Sequence, residues 1–260
     1  MPRKDKEPLS SQGRRAETLS IEALKDNAIL RHAKDAQVAI ILKHGDLFEM
    51  PTRHLVYRAD EPIREVYFPT DSVLSVVTQM ENGESIEVGT IGREGTSAIP
   101  MLMGGTLTAN DCYCQVPGHA IRLPVEQFHQ LLTSDPVFRS LLDRYLQAYV
   151  NFLGQLTACS RLHTVEERCA RWLLLTRDRV GRDTIKLTHE YLAMMLGSRR
   201  SGVSLALGTL RRAGCVEYLQ GSIEIVDVGG LFATTCECYN VAQRQFSALL
   251  PDTAEHNAFP

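Results

Sequence analysis

At Ser134-Asp135-Pro136 the hydrophobic period of this chain changes, and that change limits what it can fold into more than any other feature. Upstream, from about Leu47 to Leu123, apolar residues alternate or form β-branched runs. Examples are Arg64-Glu65-Val66-Tyr67-Phe68, Ser72-Val73-Leu74-Ser75-Val76-Val77 and Ser85-Ile86-Glu87-Val88-Gly89. Pro69-Thr70-Asp71 and Glu81-Asn82-Gly83 separate them, the second carrying the Asn-Gly signal of a tight hairpin. Short strands so closely spaced predict an antiparallel roll or sandwich. Downstream, Asp135 suits a helix cap and Pro136 the first helical position. Phe138, Leu142, Tyr145, Tyr149, Phe152, Leu156 and Cys159 then recur at alternating intervals of four and three. That is a heptad seam on one long helix, spanning about 33 Å. A second apolar set, Leu141, Leu146, Val150 and Leu153, lies beside it. Two apolar flanks predict two partners: a second copy of the chain on the heptad seam, and the chain's own β domain on the other.

The 260 residues, 44% hydrophobic and 23% charged with a net charge of −3, exclude a wholly disordered chain and suffice for two modest domains. No apolar run approaches the roughly 18 residues of a membrane-spanning helix. The basic start has no apolar stretch behind it, so a secretory signal is not expected. The expectation is a cytoplasmic protein with no membrane partner. Its parts are a disordered arm over 1–17, a β-roll over 18–134, a central dimerisation helix over 135–160, a C-terminal module over 161–240 and a tail over 241–260.

Seven cysteines, an odd number, read as free thiols rather than a disulfide framework. Cys112/Cys114 and Cys236/Cys238 are close pairs, but neither has the two-residue gap of a zinc knuckle. The eight histidines are scattered, with no His-Glu-x-x-His. Structural thiols and no metal are therefore expected; the alternative is a thiol or metal sensor drawing four thiolates from the two pairs.

Residues 188–226 carry the chemistry. Thr188 caps a short helix with Leu192, Met195 and Leu196 inward, and Gly197 breaks it. Ser198 is expected to cap a second helix that buries Val203, Leu207 and Leu210, with Gly214 as its left-handed stop. Val216–Leu219 and Ile223–Val226 form a hairpin across Gln220-Gly221, completing a winged helix-turn-helix. With Val203, Leu207 and Leu210 inward, helical geometry turns Ser201, Ser204, Leu205 and Gly208 outward, with Arg199 and Arg200 in the first turn. Small outward residues let a helix enter the major groove, where an arginine reaches guanine O6 and N7. The helix starts at Thr188-His189 and Ser198 suit phosphate oxygens. Residues 161–220 carry a net +5 and the remainder −8, the distribution a phosphate-contacting module needs.

In this order the chain resembles the bacterial Crp/Fnr transcription regulators over residues 30–240, most closely from Leu187 to Ser204 with Leu207, Leu210 and Gly214. The resemblance implies an α+β fold: an N-terminal antiparallel double-stranded β-helix of the cyclic-nucleotide-binding kind, a long dimerisation helix and a C-terminal winged helix-turn-helix. It implies homodimers pairing through Phe138, Leu142, Tyr145, Tyr149, Phe152 and Leu156, palindromic sites on double-stranded DNA, and RNA polymerase as a further partner. Arg200 takes the place of the guanine-reading arginine. Thr188, His189 and Ser198 fall at phosphate-contacting positions. Many members carry Glu directly after that arginine and Arg four residues later; here Ser201 and Leu205 stand there, so the target should differ.

The corresponding effector pocket is Arg93, Glu94, Gly95 and Thr96. No Lys or Arg follows between Glu94 and Ile121 to clamp a cyclic phosphate. Cyclic nucleotide is therefore not expected as ligand, no cofactor is implied, and the backbone amides around Gly95 and Thr96 are left as an anion cradle. No phosphate loop, nucleophile elbow or paired carboxylates point to an enzyme. The rival reading is a sensor whose output is protein–protein contact.

Overall fold

The computed structural model describes residues 19–219 and 221–249; the expected arm over 1–17 and the turn residue Gln220 lie outside them. Two short helices, α1 (Ile21–Lys25) and α2 (Asp35–His44), precede the β-roll. One face of the roll is the antiparallel order β1 (Asp46–Met50), β7 (Gly118–Pro124), β3 (Glu65–Pro69). The other is β2 (Leu55–Tyr57), β6 (Asp111–Val116), β4 (Val73–Gln79), β5 (Ser85–Ile91). Strands β4 and β5 pair as the Asn-Gly signal predicts, with Gly83 at φ +86°. Inside lie Phe48, Met50, Val66, Phe68, Leu74, Ile91, Cys114 and Ile121, all buried. The roll contains two further helices, α3 (Ile99–Leu102) and α4 (Val125–Ser134).

The long helix α5 (Pro136–Leu162) starts as expected: the Asp135 carboxylate accepts the Val137 N–H at 2.7 Å and Pro136 is the first residue. Its 27 residues span about 40 Å. The orientation of its faces differs from the sequence expectation. Phe138, Leu142, Tyr145, Tyr149 and Phe152 are each 3% exposed or less within a single chain, and Leu156 is half-buried. The seam assigned to a second copy is therefore consumed inside the protomer. Tyr145 and Tyr149 close the open side of the roll, where glycines make room. A Cβ on Gly95 would meet the Tyr145 hydroxyl at 2.2 Å, and one on Gly89 would meet that of Tyr149 at 2.4 Å. Phe152 packs on Phe246, ring centroids 5.7 Å apart.

Phe246 belongs to α10 (Cys238–Leu249), which lies along α5. This corrects the boundary placed at 241: residues 241–249 continue a helix whose Tyr239, Ala242 and Phe246 are buried, and only 250–260 fall outside the described residues. The heptad flank of α5 is thus covered within its own chain, whereas the second set is divided: Leu141 is buried, Leu146 and Leu153 are half-buried, and Val150 is exposed.

Helix α6 (Val165–Val180) opens on a capping box, Thr164 with Glu167, and stops at Gly181 in the left-handed region at φ +66°. Then come β8 (Thr184–Lys186), α7 (His189–Leu196), α8 (Arg200–Arg212), β9 (Val216–Leu219), β10 (Ser222–Ile225) and α9 (Val228–Thr234). The wing sheet runs β8-β10-β9, antiparallel throughout. No helix among the described residues is long and apolar enough to cross a membrane.

Candidate nucleic-acid interface

Helices α7 and α8 are joined by a turn that sequence and structure share almost residue for residue. The Thr188 hydroxyl accepts the Tyr191 N–H at 3.2 Å, and Gly197 takes φ +56° to end α7. A Cβ on Gly197 would lie 2.5 Å from the Ile86 side chain, so the position is restricted by packing as well as by backbone. Val203, Leu207 and Leu210 are 0–1% exposed and lock the rear of α8 against α6 and α7. One cap differs. Arg199, not Ser198, is the residue before α8, and no side chain caps that helix. The Ser198 hydroxyl turns back to the Leu196 carbonyl at 3.5 Å. The first N–H groups of α8 are therefore left without a side-chain cap, in the position where an anionic oxygen is best received.

The outward row is Arg200, Ser201 and Leu205, exposed, with Ser204 and Gly208 half-buried beside it. Leu205 is 68% exposed, unusual for a leucine on a helix with a buried rear. His189 Nδ1 lies 3.0 Å from Ser204 Oγ, so these two predicted contacts form one polar unit across the helix pair. Arg199 is exposed beside them. Two contributors were missed in the sequence. Glu190 holds Arg200, Nε to Oε1 at 2.7 Å, between groups 67% and 60% exposed. At the wing, Arg211 pairs with Glu217 at 3.0 Å and stands 5.3 Å over the Tyr218 ring. The sequence signal for the first pair was present: the carboxylate on α7 and the guanidinium at the start of α8 face each other once the turn is closed. A surface pair of this kind is worth under about 1 kcal/mol, so it presets the guanidinium without holding it back from a stronger acceptor.

Residues 47–135 match the cyclic nucleotide-binding domain, and residues 167–233 match the Crp-like helix-turn-helix domain. The chain belongs to the Crp/Fnr family of transcription regulators. At the level of sequence, none of the curated proteins matches. Among solved structures it is similar to TTHB099, a CRP-family transcriptional regulator from Thermus thermophilus. That pair shares 20% identity, with 72% of this chain and 95% of that one covered and a TM-score of 0.60. It is also similar to FixK2 from Bradyrhizobium japonicum (15% identity, 74% and 98% covered, TM-score 0.62). A third is the c-di-GMP-responsive regulator CLP from Xanthomonas campestris (14% identity, 75% and 100% covered, TM-score 0.59). At these identities the likeness concerns the fold.

In this Crp/Fnr regulator the four residues of the predicted effector loop are divided: Arg93 and Glu94 border a cavity, while Gly95 and Thr96 are bonded into the chain. The Gly95 N–H donates to the Gly92 carbonyl at 3.0 Å, and Thr96 is fully buried with its hydroxyl donating to the Tyr67 carbonyl at 3.1 Å. The Tyr145 hydroxyl donates to the Thr96 carbonyl at 3.2 Å. Of the amide cradle expected there, the Gly95 N–H is already bonded within the chain. Arg93 turns away, its Nε donating to the Thr70 carbonyl at 3.2 Å. Glu94 pairs with Arg179 of α6 at 2.8 Å, the two side chains 12% and 7% exposed, and Arg179 also reaches the Thr90 hydroxyl. Arg93 and Glu94 border a cavity of about 310 Å³ between this loop, the end of α6 and α10; Gly95 and Thr96 do not. Through Glu94 the predicted effector loop is paired directly with α6 of the helix-turn-helix module.

A second contact between roll and module is titratable. Glu87 on β5 accepts from Ser75 Oγ at 2.7 Å and Gln115 Nε2 at 2.6 Å, close to where Met195 of α7 meets Ser75. Burial pushes its carboxyl up to about 7, against the pull of those hydrogen bonds and of the Arg179 charge. The folded chain therefore keeps a proton there that the unfolded chain has lost. Stability from this group is full below about 4.5, the ordinary value, and is lost as pH rises through 7. Between pH 5.5 and 8 the midpoint of thermal unfolding should fall more steeply for wild type than for Glu87→Gln. Parallel profiles would mean that Glu87 is ionised throughout.

Proposed function

We propose that this regulator binds palindromic promoter sites as a homodimer, placing one α8 in the major groove of each half-site. The observation that carries the reading is the outward row of α8, Arg200, Ser201, Ser204 and Leu205, held in front of a fully packed rear and an uncapped helix start. The guanidinium of Arg200 suits guanine, Leu205 suits a thymine methyl, and the α7 and α8 starts with Thr188 and His189 suit phosphates. RNA polymerase is the second macromolecular partner of the reading, which assigns the chain no catalytic step. Site selection on random duplexes tests it: a two-fold symmetric motif with half-sites about 34 Å apart is expected. Log K should also fall linearly with log salt. Binding that ignores salt and sequence would favour the rival, a protein-docking module.

With the first seam of α5 buried, dimerisation moves to another face of the same helix. Gln147, Val150, Gly154, Thr157 and Arg161 recur at intervals of three and four, and all are exposed. Val150 is 54% exposed, and a Cβ on Gly154 would meet nothing within 4 Å. An apolar residue followed one turn later by a glycine open to close approach supports a helix–helix contact there. Val150→Glu should give a folded monomer, with stability changed by no more than about 0.5 kcal/mol because the site is on the surface. Sedimentation that still finds a dimer would remove this face from the interface.

In this reading the sensor roll does not take cyclic nucleotide. The support is steric and electrostatic together: Tyr145 fills the space over Gly95, and Glu94 is committed to Arg179. A signal reaching the roll would act on the DNA-binding module through the Glu94–Arg179 pair and would shift between two arrangements of the dimer. Calorimetric titration with cyclic AMP should show no saturable heat; a stoichiometric isotherm would overturn this part.

A further inference from the structure

Beneath the joint between α5 and α6, four side chains from two distant segments converge. Cys159 lies in the last turn of α5, and His163, four residues on, is the residue that ends the helix, its backbone N–H donating to the Cys159 carbonyl. Cys236 and Cys238 flank Glu237 at the start of α10. The three sulfurs and the His163 ring nitrogen all lie within 4.8 Å of one another, the one such His/Cys/Asp/Glu cluster among the described residues to combine thiols with imidazole. We propose that Cys159, His163, Cys236 and Cys238 bind a single zinc ion in a tetrahedral three-sulfur, one-nitrogen site that fastens α10 to the end of α5.

The spacings fit the ion. Zinc–sulfur bonds of about 2.3 Å and zinc–nitrogen bonds of about 2.0 Å, set at tetrahedral angles, separate two sulfurs by about 3.8 Å and sulfur from nitrogen by about 3.5 Å. Cys159 Sγ and Cys236 Sγ are 3.6 Å apart, and Cys238 Sγ and His163 Nδ1 are 3.5 Å apart. Ligands gathered this closely around one point suit one ion rather than a cluster of several irons. Thiolate with imidazole in a tetrahedron selects zinc among the common divalent metals.

The surroundings fit as well. His163 Nε2 is 3.1 Å from the Glu237 carboxylate, the arrangement that fixes the tautomer and leaves Nδ1 free to ligate. Gln155 Nε2 donates to Cys238 Sγ at 3.0 Å, a hydrogen bond that stabilises a thiolate. Three thiolates around a divalent ion leave one negative charge. Arg171, 7% exposed and with its Nε lacking a hydrogen-bond partner, supplies a matching positive one next to Cys159. The three thiols are 0%, 4% and 1% exposed and form a small cluster apart from the main hydrophobic core. As apolar filler that island stabilises little; as a ligand set it accounts for its own burial. Binding sends the three thiol protons to solvent, so affinity weakens as pH falls.

The inference does not depend on what α8 binds, and its test uses the full chain. Protein expressed with zinc in the medium should carry about one zinc per chain. Cys236→Ser and Cys238→Ser should lose it, while Cys169→Ser, a buried thiol outside the cluster, should keep it. Cobalt(II) added to the metal-free wild-type chain should develop sulfur-to-metal charge transfer and the strong visible bands of a tetrahedral ion. Those bands should saturate at about one equivalent, with a thermal midpoint several degrees above that of the metal-free chain. Zinc below a tenth of an equivalent with no cobalt–thiolate absorption would overturn the site. A Cys159–Cys236 disulfide in protein purified without oxygen, with no metal present, would overturn it too.

Discussion

Phe152→Asp should abolish the folded state of this regulator, not merely part a dimer. Phe152 is 1% exposed, with Tyr149 and Phe246 rings at 6.4 and 5.7 Å and the Arg179 guanidinium at 5.5 Å over its face. Removing a buried phenyl ring costs about 3–5 kcal/mol through lost burial and the cavity left behind. A carboxylate placed there adds a desolvation penalty of several kcal/mol or a forced protonation. Together these rival the whole stability of a domain, about 5–15 kcal/mol. Urea unfolding followed by circular dichroism should show the midpoint collapse or no cooperative transition at all. The same substitution at Tyr145, fully buried against Gly95, should behave alike. A stable monomer with a wild-type midpoint would place the heptad seam back at the subunit interface.

Arg200→Ala should leave stability nearly untouched and take away reading of one base in each half-site. The side chain is 67% exposed and its pairing with Glu190 is a surface one, so folding has little stake in it. A bidentate contact to guanine is worth about 1–3 kcal/mol of discrimination, and a two-fold complex makes it twice, for about 2–6 kcal/mol in all. Sites selected by the variant should lose the guanine symmetrically, with the flanking positions retained. Arg199→Ala offers a contrast: if that side chain meets phosphate, affinity should fall uniformly and the salt slope should drop by about one. A selected motif identical to that of wild type would deny Arg200 its role.

The strands, the long helix and the turn between α7 and α8 were legible because each rests on local rules. Asn82-Gly83, Asp135-Pro136, Thr164 with Glu167, Thr188, Gly181 and Gly197 all act within four residues of where they stand. The outward row of α8 followed from three buried positions and the helical period. Ser198 as a cap failed for an equally local reason: the turn takes one residue more, and its hydroxyl goes back to Leu196. Other features were hidden because they join distant segments. Helix α10 looked like a tail, since only the α5 groove makes sense of Phe246. The cysteines were paired by proximity in sequence, Cys112 with Cys114 and Cys236 with Cys238. Spatially, Cys112 and Cys114 lie in the roll core, while Cys236 and Cys238 meet Cys159 and His163. The four-residue interval between Cys159 and His163 was the available signal; it is one turn of helix, and it went unread.

By itself, then, the order of amino acids determined the two domain types, the helix that joins them and the side chains on the outward face of α8. Each of these follows from backbone preference and from the period at which apolar groups recur. What only the tertiary structure decided is which surface meets which. An apolar stripe is free to be covered by a roll, a neighbouring helix or another molecule, and the hydrophobic effect has no direction with which to choose among them. Shape makes that choice. Gly89 and Gly95 open room for two tyrosines, Phe246 arrives to cover Phe152, and the face left uncovered on α5 is Val150 and Gly154.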